Sequence, residues 1–343
     1  MAAPRISARP VWTAIVLLVT GFALAPVLLS HDVYSYVDYA RLGVVHGLDP
    51  YVSPPSAAPA DPAFAGVDWT GATSAYGPLF TLASYPLAWL PVDAAVAVLK
   101  ALAAAAVLGM ALLVARLAPA RGVDPVRAAA FVALNPLVLV HVVGGAHNDG
   151  LAMLLAMLGV AAVLAHRELA GGGAFAAALL IKAPAAFAAP FALLAVRPRR
   201  GGLRFLAGAL AALALVALAA WAAFGWDWLG ALGLAAENQG RTSYMSVPIT
   251  FARLTGSDPE LARVAALSIY GVLVAYLLIW TWRGGDWVRA AGWAGAGLLV
   301  ATSWLLPWYL IWALPLAALS RDRALQLLVL ALTAFQLGTR IPL

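Results

Sequence analysis

Long apolar runs separated by short polar breaks make up most of the chain. The runs fall near residues 11–29, 94–115, 127–144, 150–166, 171–181, 183–196, 204–224, 263–282, 288–303, 305–319 and 324–338. A helix crossing roughly 30 Å of hydrocarbon needs about 20 such residues. The pattern therefore predicts an all-α integral membrane protein, a polytopic bundle of about 11 transmembrane helices forming a single domain over 1–343. The runs 171–181 and 183–196 are too short for two full spans and hinge at Lys182-Ala183-Pro184. They read as a broken, re-entrant pair, a backbone that hydrocarbon tolerates only where it lines a protein cavity. No small-residue cleavage site follows the first run, so it is expected to remain as the first helix.

Charge orients the bundle, because basic residues concentrate on the cytoplasmic side. With the N-terminus inside, the cytoplasmic set is Arg5, Arg9, Arg116, Arg121, Arg127, Arg167, Arg197, Arg199, Arg200, Arg204, Arg283, Arg289, Arg321 and Arg323. Only Arg41, Arg241, Arg253, Arg263 and Arg340 fall outside, and Lys100 and Lys182 lie within runs. The acids segregate the other way: Asp124, Glu168, Asp286 and Asp322 are inside and the rest outside. This predicts a multi-pass cell-membrane protein with a cytoplasmic N-terminus and two long outer loops, about 30–93 and 225–262. Lys100, near the end of a run, is expected to snorkel to the interface.

Composition narrows the chemistry. Hydrophobic residues are 64% of the 343 and charged residues 10%, with a mean hydropathy of +0.91. That excludes a cytosolic enzyme, a secreted module and a nucleic-acid partner; the net charge of +6 comes from arginines scattered over short loops. The absence of cysteine excludes disulfides, Cys-ligated zinc and thiol nucleophiles. There is no P-loop, GxGxxG turn, HExxH or Gly-x-Ser-x-Gly, and the inner loops are too short for a nucleotide-binding domain. Any chemistry belongs to the outer face and the lipid bilayer.

The polar residues at the outer ends of the runs are the candidates. Asp32 opens an amphipathic stretch to His46, with Val33, Tyr36, Val37, Ala40 and Val44 at helical spacing, suited to the headgroup layer. Asp32 is either a ligand-facing carboxylate or a helix cap. Residues 52–70 read as a loop, and Tyr76-Gly77-Pro78-Leu79 turns into an interfacial helix. Pro136 is expected to kink its span. His147-Asn148-Asp149 stands between two apolar spans, again as a site or as caps. Lys182 between apolar half-helices is a functional hypothesis by default. The block 237–244 contains Glu237 and Arg241 and doubles as a solvated loop. Trp304, Trp308, Tyr309 and Trp312 read as an aromatic belt.

A carboxylate beside one or two cations at headgroup depth suits glycosyl transfer from a lipid phosphate. The attacking hydroxyl needs a base, the transition state has oxocarbenium character, and the departing phosphate needs a positive partner. Direct displacement inverts the anomeric centre. Several blocks, in order, carry a resemblance: Asp32-Val33-Tyr34-Ser35-Tyr36, Gly47-Leu48-Asp49-Pro50-Tyr51, Tyr76-Gly77-Pro78-Leu79, Gly145-Ala146-His147-Asn148-Asp149, Lys182-Ala183-Pro184 and Ser246-Val247-Pro248. Together they resemble the polyprenol-phosphate-mannose-dependent α-1,6-mannosyltransferases of actinobacteria, of the GT-C superfamily. The resemblance implies a GT-C type bundle, a polyprenyl-phosphate mannose donor and an α-1,6-mannan or glycolipid acceptor of lipomannan type. It also implies a catalytic aspartate just after the first helix, which falls on Asp32.

The roles expected from these readings are Asp32 as general base and Lys182 and Arg241 as the clamp on the donor phosphate. His147, Asn148 and Asp149 would orient sugar or acceptor hydroxyls, with Tyr36 and Tyr76 at the donor pocket. No cofactor or metal is expected, although Asp32, His147 and Asp149 are in principle ligands for a hard cation. The rival readings are a transporter or flippase of a lipid-linked sugar, a transferase using another sugar on the same carrier, and a non-catalytic subunit of a partner transferase. Ionisable residues gathered at outer helix ends rather than at the midplane favour an enzyme over a transporter.

Overall fold

A computed structural model describes residues 7–196 and 199–338, and among these every regular element is helical. Arg5, Arg197, Arg340 and the side chains of Arg199, Asn238 and Gln239 lie outside the described residues. The first half contains α1 (Ala8–Leu24), α2 (Asp32–Val44), α3 (Pro78–Ser84), α4 (Val92–Leu117), α5 (Pro125–Ala133), α6 (Asp149–Leu164) and α7 (Glu168–Ile181). The second contains α8 (Ala189–Ala195), α9 (Arg199–Phe224), α10 (Gly230–Gly240), α11 (Val247–Thr255), α12 (Pro259–Trp282), α13 (Trp287–Ala301), α14 (Leu314–Ala318) and α15 (Arg323–Gly338).

This is a helical membrane protein by length and composition: Val92–Leu117, Arg200–Phe224 and Pro259–Trp282 are each long and apolar enough to cross a bilayer. Half of the apolar stretch of α4 is buried, against 17% for α9 and 11% for α12. α4 is thus a central helix, while α9 and α12 turn leucines such as Leu210, Leu218 and Leu261 outward. α9 reaches the bundle through small residues. A Cβ on Gly172 would meet the Phe205 carbonyl at 1.9 Å, and one on Gly208 would meet that of Leu169 at 1.9 Å, so α7 and α9 pack backbone to backbone.

The other runs are shorter than expected because they break. α1 stops at Leu24 instead of 29, where Pro26 brings no N–H. The Lys100 ammonium, expected to snorkel, is instead buried and donates to the free carbonyls of Ala25 and Pro26 (3.1 Å to the latter). Pro136 produces a full break rather than a kink. α5 ends at Ala133, the Asn135 carboxamide accepts from Leu137 N–H (3.0 Å) and donates to Thr333 (2.9 Å), and a π-helical turn follows over Val138–Val143. The run 305–319 is a 3₁₀ turn, Pro307–Trp312, followed by α14, and all of it but Leu306 and Tyr309 is buried. α7 ends where Pro184 cannot donate to the Leu180 carbonyl; Lys182 is extended (φ −154°, ψ 113°) and a 3₁₀ turn, Ala183–Ala186, follows.

The long connection between α1 and α4 is a packed cover. α2, expected in the headgroup layer, is mostly buried, including Val33, Tyr36, Val37, Tyr39 and Leu42. Residues 52–76, of which 52–70 are expected as loop, are pinned over it. The Asp61 carboxylate accepts from Arg41 Nε (2.8 and 3.0 Å) and lies 2.7 Å from His46 Nε2, and Tyr39 O–H donates to Ala72 O (2.8 Å). The cover docks on the broken helix at Gly77, whose N–H donates to Ile181 O (3.0 Å). A Cβ there would meet Leu180 O at 2.0 Å. Gly77→Ala is therefore expected to lift the start of α3 off α7 and to cost about 1–3 kcal/mol or more, as overpacking does. Thermal unfolding and protease sensitivity of the 52–76 cover measure it; an unchanged melting temperature would contradict the close approach.

Candidate functional site

The chain breaks converge on one cavity of about 340 Å³. Its polar wall carries Asp32, Trp69, Tyr76, Lys182, Arg241, Trp308 and Tyr309. Its other wall is apolar, with Leu179 and Leu180 of α7, Leu213 of α9, and Trp228, Leu232 and Leu234 around α10. The polar and apolar walls are continuous within one volume.

Asp32 is the first residue of α2, where the helix dipole favours a negative charge. It does not cap its helix: the N-cap position is His31, and the Asp32 carboxylate instead accepts from Trp69 Nε1 at 3.2 Å. His147 Nδ1 is 3.7 Å from its other oxygen, too far for a hydrogen bond. Burial raises the pKa of Asp32 above the ordinary carboxylate value, against the opposing pull of the Lys182 charge and the Trp69 N–H. His147 is fully buried in the turn before α6, stacked on the Trp308 indole at 3.7 Å and 17°. Burial, followed by the Lys182 charge, pushes the imidazole well below its usual range, so it stands neutral beside Asp32.

Lys182 reaches across the break to Asp149, with Nζ 2.5 Å from Oδ2. The other Asp149 oxygen accepts from Trp312 Nε1 at 2.8 Å, and no part of Asp149 is exposed. The ammonium also sits 5.4 Å from the centre of the Tyr309 ring, which stacks on Trp312 at 4.1 Å. Arg241 follows α10 and lies against two indoles, 5.5 Å from Trp69 and 5.9 Å from Trp304. Its carbonyl accepts from Ser303 Oγ (2.9 Å), which ties the connection after α10 to the end of α13.

Of the residues singled out in the sequence, Asp32, Tyr76, Lys182 and Arg241 line the cavity. Tyr36 lies behind that wall, edge-on to Tyr76 at 4.8 Å. His147, Asn148 and Asp149 also lie behind it, fully or almost fully buried, which departs from the expectation that they orient substrate hydroxyls. Both Asp149 oxygens are engaged, so its contact is with Lys182 rather than with a ligand in the cavity. Asn148 makes no side-chain cap bond at the start of α6. Glu237 is exposed on α10 and Asp38 is buried under the cover; neither lines the cavity. Among the described residues no three His, Asp or Glu side chains converge as a metal site, Asp32, His147 and Asp149 included.

The sequence reading missed the aromatics. Trp69, in a stretch that reads as loop, holds Asp32 and faces Arg241. Trp304, Trp308, Tyr309 and Trp312, read as a belt, line or back the cavity. The available signal was Pro307 amid four aromatics, which argues for a break in the helix rather than a span end.

The family model described as Alpha-(1->6)-mannopyranosyltransferase, N-terminal domain, matches residues 1–198. Alpha-(1->6)-mannopyranosyltransferase A of Mycobacterium tuberculosis is 34% identical over 331 residues, covering 86% of this chain and 63% of the relative. A probable alpha-(1->6)-mannopyranosyltransferase of Mycolicibacterium smegmatis is 30% identical over 352 residues, with 86% and 62% covered. Alpha-(1->6)-mannopyranosyltransferase A of Corynebacterium glutamicum is 30% identical over 179 residues, 51% of this chain and 36% of the relative. The chain thus spans less than two thirds of the length of these relatives. The matched region takes in Asp32, Trp69, Asp149 and Lys182, and the chain belongs to the alpha-(1->6)-mannopyranosyltransferase family.

Proposed function

We propose that the chain transfers mannose from polyprenyl-phosphate mannose to an α-1,6-mannan or glycolipid acceptor of lipomannan type, on the extracytoplasmic face of the cell membrane. The observation that carries this reading is the single cavity in which a carboxylate, Asp32, and an ammonium, Lys182, share a wall that passes into an apolar one. A phosphate-linked sugar on a prenyl chain has that same division between charge and hydrocarbon.

In this reading Asp32 takes the proton of the attacking acceptor hydroxyl as the bond to the anomeric carbon forms. The bond from that carbon to the phosphate oxygen breaks, its electron pair stays on the phosphate, and the configuration inverts. Lys182 and Arg241 hold the departing polyprenyl phosphate, with no metal required for its charge. Asp149 fixes Lys182 so that the ammonium need not reorganise during transfer. Tyr76 walls the sugar, Tyr36 backs Tyr76, and neutral His147 places no imidazolium beside Asp32 that would lower its basicity. We also propose the GT-C type arrangement with about 11 crossings, the eleven apolar runs each meeting a helix or helix pair.

Asp32→Asn keeps the shape and an acceptor for Trp69 but cannot take a proton. It is expected to lower transfer by about 100- to 10,000-fold, the usual worth of a general base. Wild-type turnover should rise with pH through a value above the ordinary carboxylate range, because the base works only when ionised and burial raises its pKa. An Asp32→Asn enzyme with wild-type turnover from labelled polyprenyl-phosphate mannose would remove Asp32 from the reaction.

Lys182→Met leaves Asp149 buried without its partner, and breaking such a pair costs about 3–5 kcal/mol. Adding Asp149→Asn is expected to restore most of the melting temperature without restoring donor affinity. A double variant that binds donor as the wild type does would end the clamp.

The chain has no cysteine, so single ones report topology. Ala60→Cys is expected to react with an impermeant maleimide on intact cells and Arg200→Cys only after lysis. Both positions are exposed, and the reverse pattern would invert the orientation.

A further inference from the structure

A second cavity, about 620 Å³, lies at the other end of the bundle, where the turn after α4, the connection between α12 and α13 and the start of α15 meet. α13 begins beside it at Trp287 and ends at Ala301, three residues before Trp304 of the first cavity. Fifteen helical residues put the two cavities roughly 22 Å apart.

Four arginines line it, Arg121, Arg289, Arg321 and Arg323, against two carboxylates, Asp286 and Asp322. Arg121 pairs with Asp286, and Arg289 pairs with Asp322 at 2.7 Å. Both carboxylates are further committed. Asp286 accepts from the backbone of Val288 and Arg289 (3.1 and 3.3 Å) at the start of α13. Asp322 accepts from Ala324, Leu325 and the Trp293 indole (3.0, 3.2 and 2.9 Å) at the start of α15. The acids are held by helix N-termini as well as by arginine, so they have little left for other cations. Arg321 and Arg323 remain exposed, and among the described residues neither has a carboxylate partner.

The cavity therefore carries an excess of two positive charges, and its surroundings indicate what neutralises them. Trp280 forms part of the wall, and beyond it the outward face of α12 is apolar, with Tyr276, Ile279 and Trp282 exposed. Leu327 and Leu330 on α15 are exposed likewise. A free anion would use only the arginines; an anion with hydrocarbon attached would use these faces too. We propose that this cavity binds the phosphate-bearing headgroup of an anionic phospholipid, with its chains against α12 and α15. This site does not depend on the transfer reaction.

The test is native mass spectrometry of the full chain released from micelles containing equal phosphatidylglycerol and phosphatidylcholine. The wild type is expected to retain phosphatidylglycerol preferentially. An arginine near a lipid surface contributes about a factor of five, so Arg321→Gln with Arg323→Gln should lower that preference roughly 25-fold. Arg253→Gln, the loss of one arginine charge at an exposed position on α11, should leave it intact. An undiminished preference in the double variant overturns the proposal. Displacement of phosphatidylglycerol by inorganic phosphate at comparable concentration overturns the lipid assignment and makes this a site for free phosphate. Melting temperatures of the variants identify any loss that comes from misfolding.

Discussion

The ion pair between Lys182 and Asp149 is the constraint around which the rest of the site is arranged. An ammonium group among apolar half-helices is costly unless a counter-charge meets it, and a fully buried carboxylate has the same problem. Each solves the other's, at 2.5 Å, and the remaining Asp149 oxygen is satisfied by Trp312. The pair then sets the charge on its neighbours. Burial raises the Asp32 pKa and the Lys182 ammonium opposes that rise, while burial holds the His147 imidazole neutral and the ammonium adds to it. Because both charges are fixed by the fold, the field inside the cavity exists before any ligand arrives.

Such a pair has to be reached by side chains from different helices, which requires breaks in those helices. Each break exposes backbone groups that hydrocarbon cannot satisfy. The structure meets this demand by joining break to break. Leu28 N–H, after α1, donates to Gly144 O between α5 and α6 (3.4 Å). Gly77 N–H, from the cover, donates to Ile181 O at the end of α7. Ser243 N–H, from the connection after α10, donates to Ser303 O after α13 (2.7 Å). The two long connections are therefore structural partners of the broken helices, and the cover over α2 is ordered for that reason.

The sequence carried the apolar runs clearly, and each of the eleven meets a helix or a helix pair. It also marked the hinge at Lys182-Ala183-Pro184, because a charge and a proline in an apolar run are both local signals. The interruptions at Pro26, Pro136 and Pro307 were visible as prolines, but their depth was not, since a proline kinks or breaks a helix according to who supplies the missing partners. For α1 that supplier is Lys100, 74 residues beyond Pro26. The pairing of Asp149 with Lys182 spans 33 residues and that with Trp312 spans 163. Spacing along the chain has no access to such contacts. Asp149 and His147 looked like ligands because they are polar residues between spans, which is equally what a buried supporting network requires.

Trp69 shows why the two long connections belong to one site. Its indole N–H is bound to Asp32, while its ring faces the Arg241 guanidinium, whose other neighbour is Trp304. A carboxylate from the first loop and a cation from the second are thus related through one rigid, planar side chain. A tryptophan has few torsions to lose, so it fixes both groups at a small entropic cost. It also separates them: Asp32 receives a neutral N–H donor instead of the guanidinium itself, which would have lowered its basicity further. A base and a phosphate clamp working on one sugar need that arrangement, close enough to share a substrate and kept from neutralising each other.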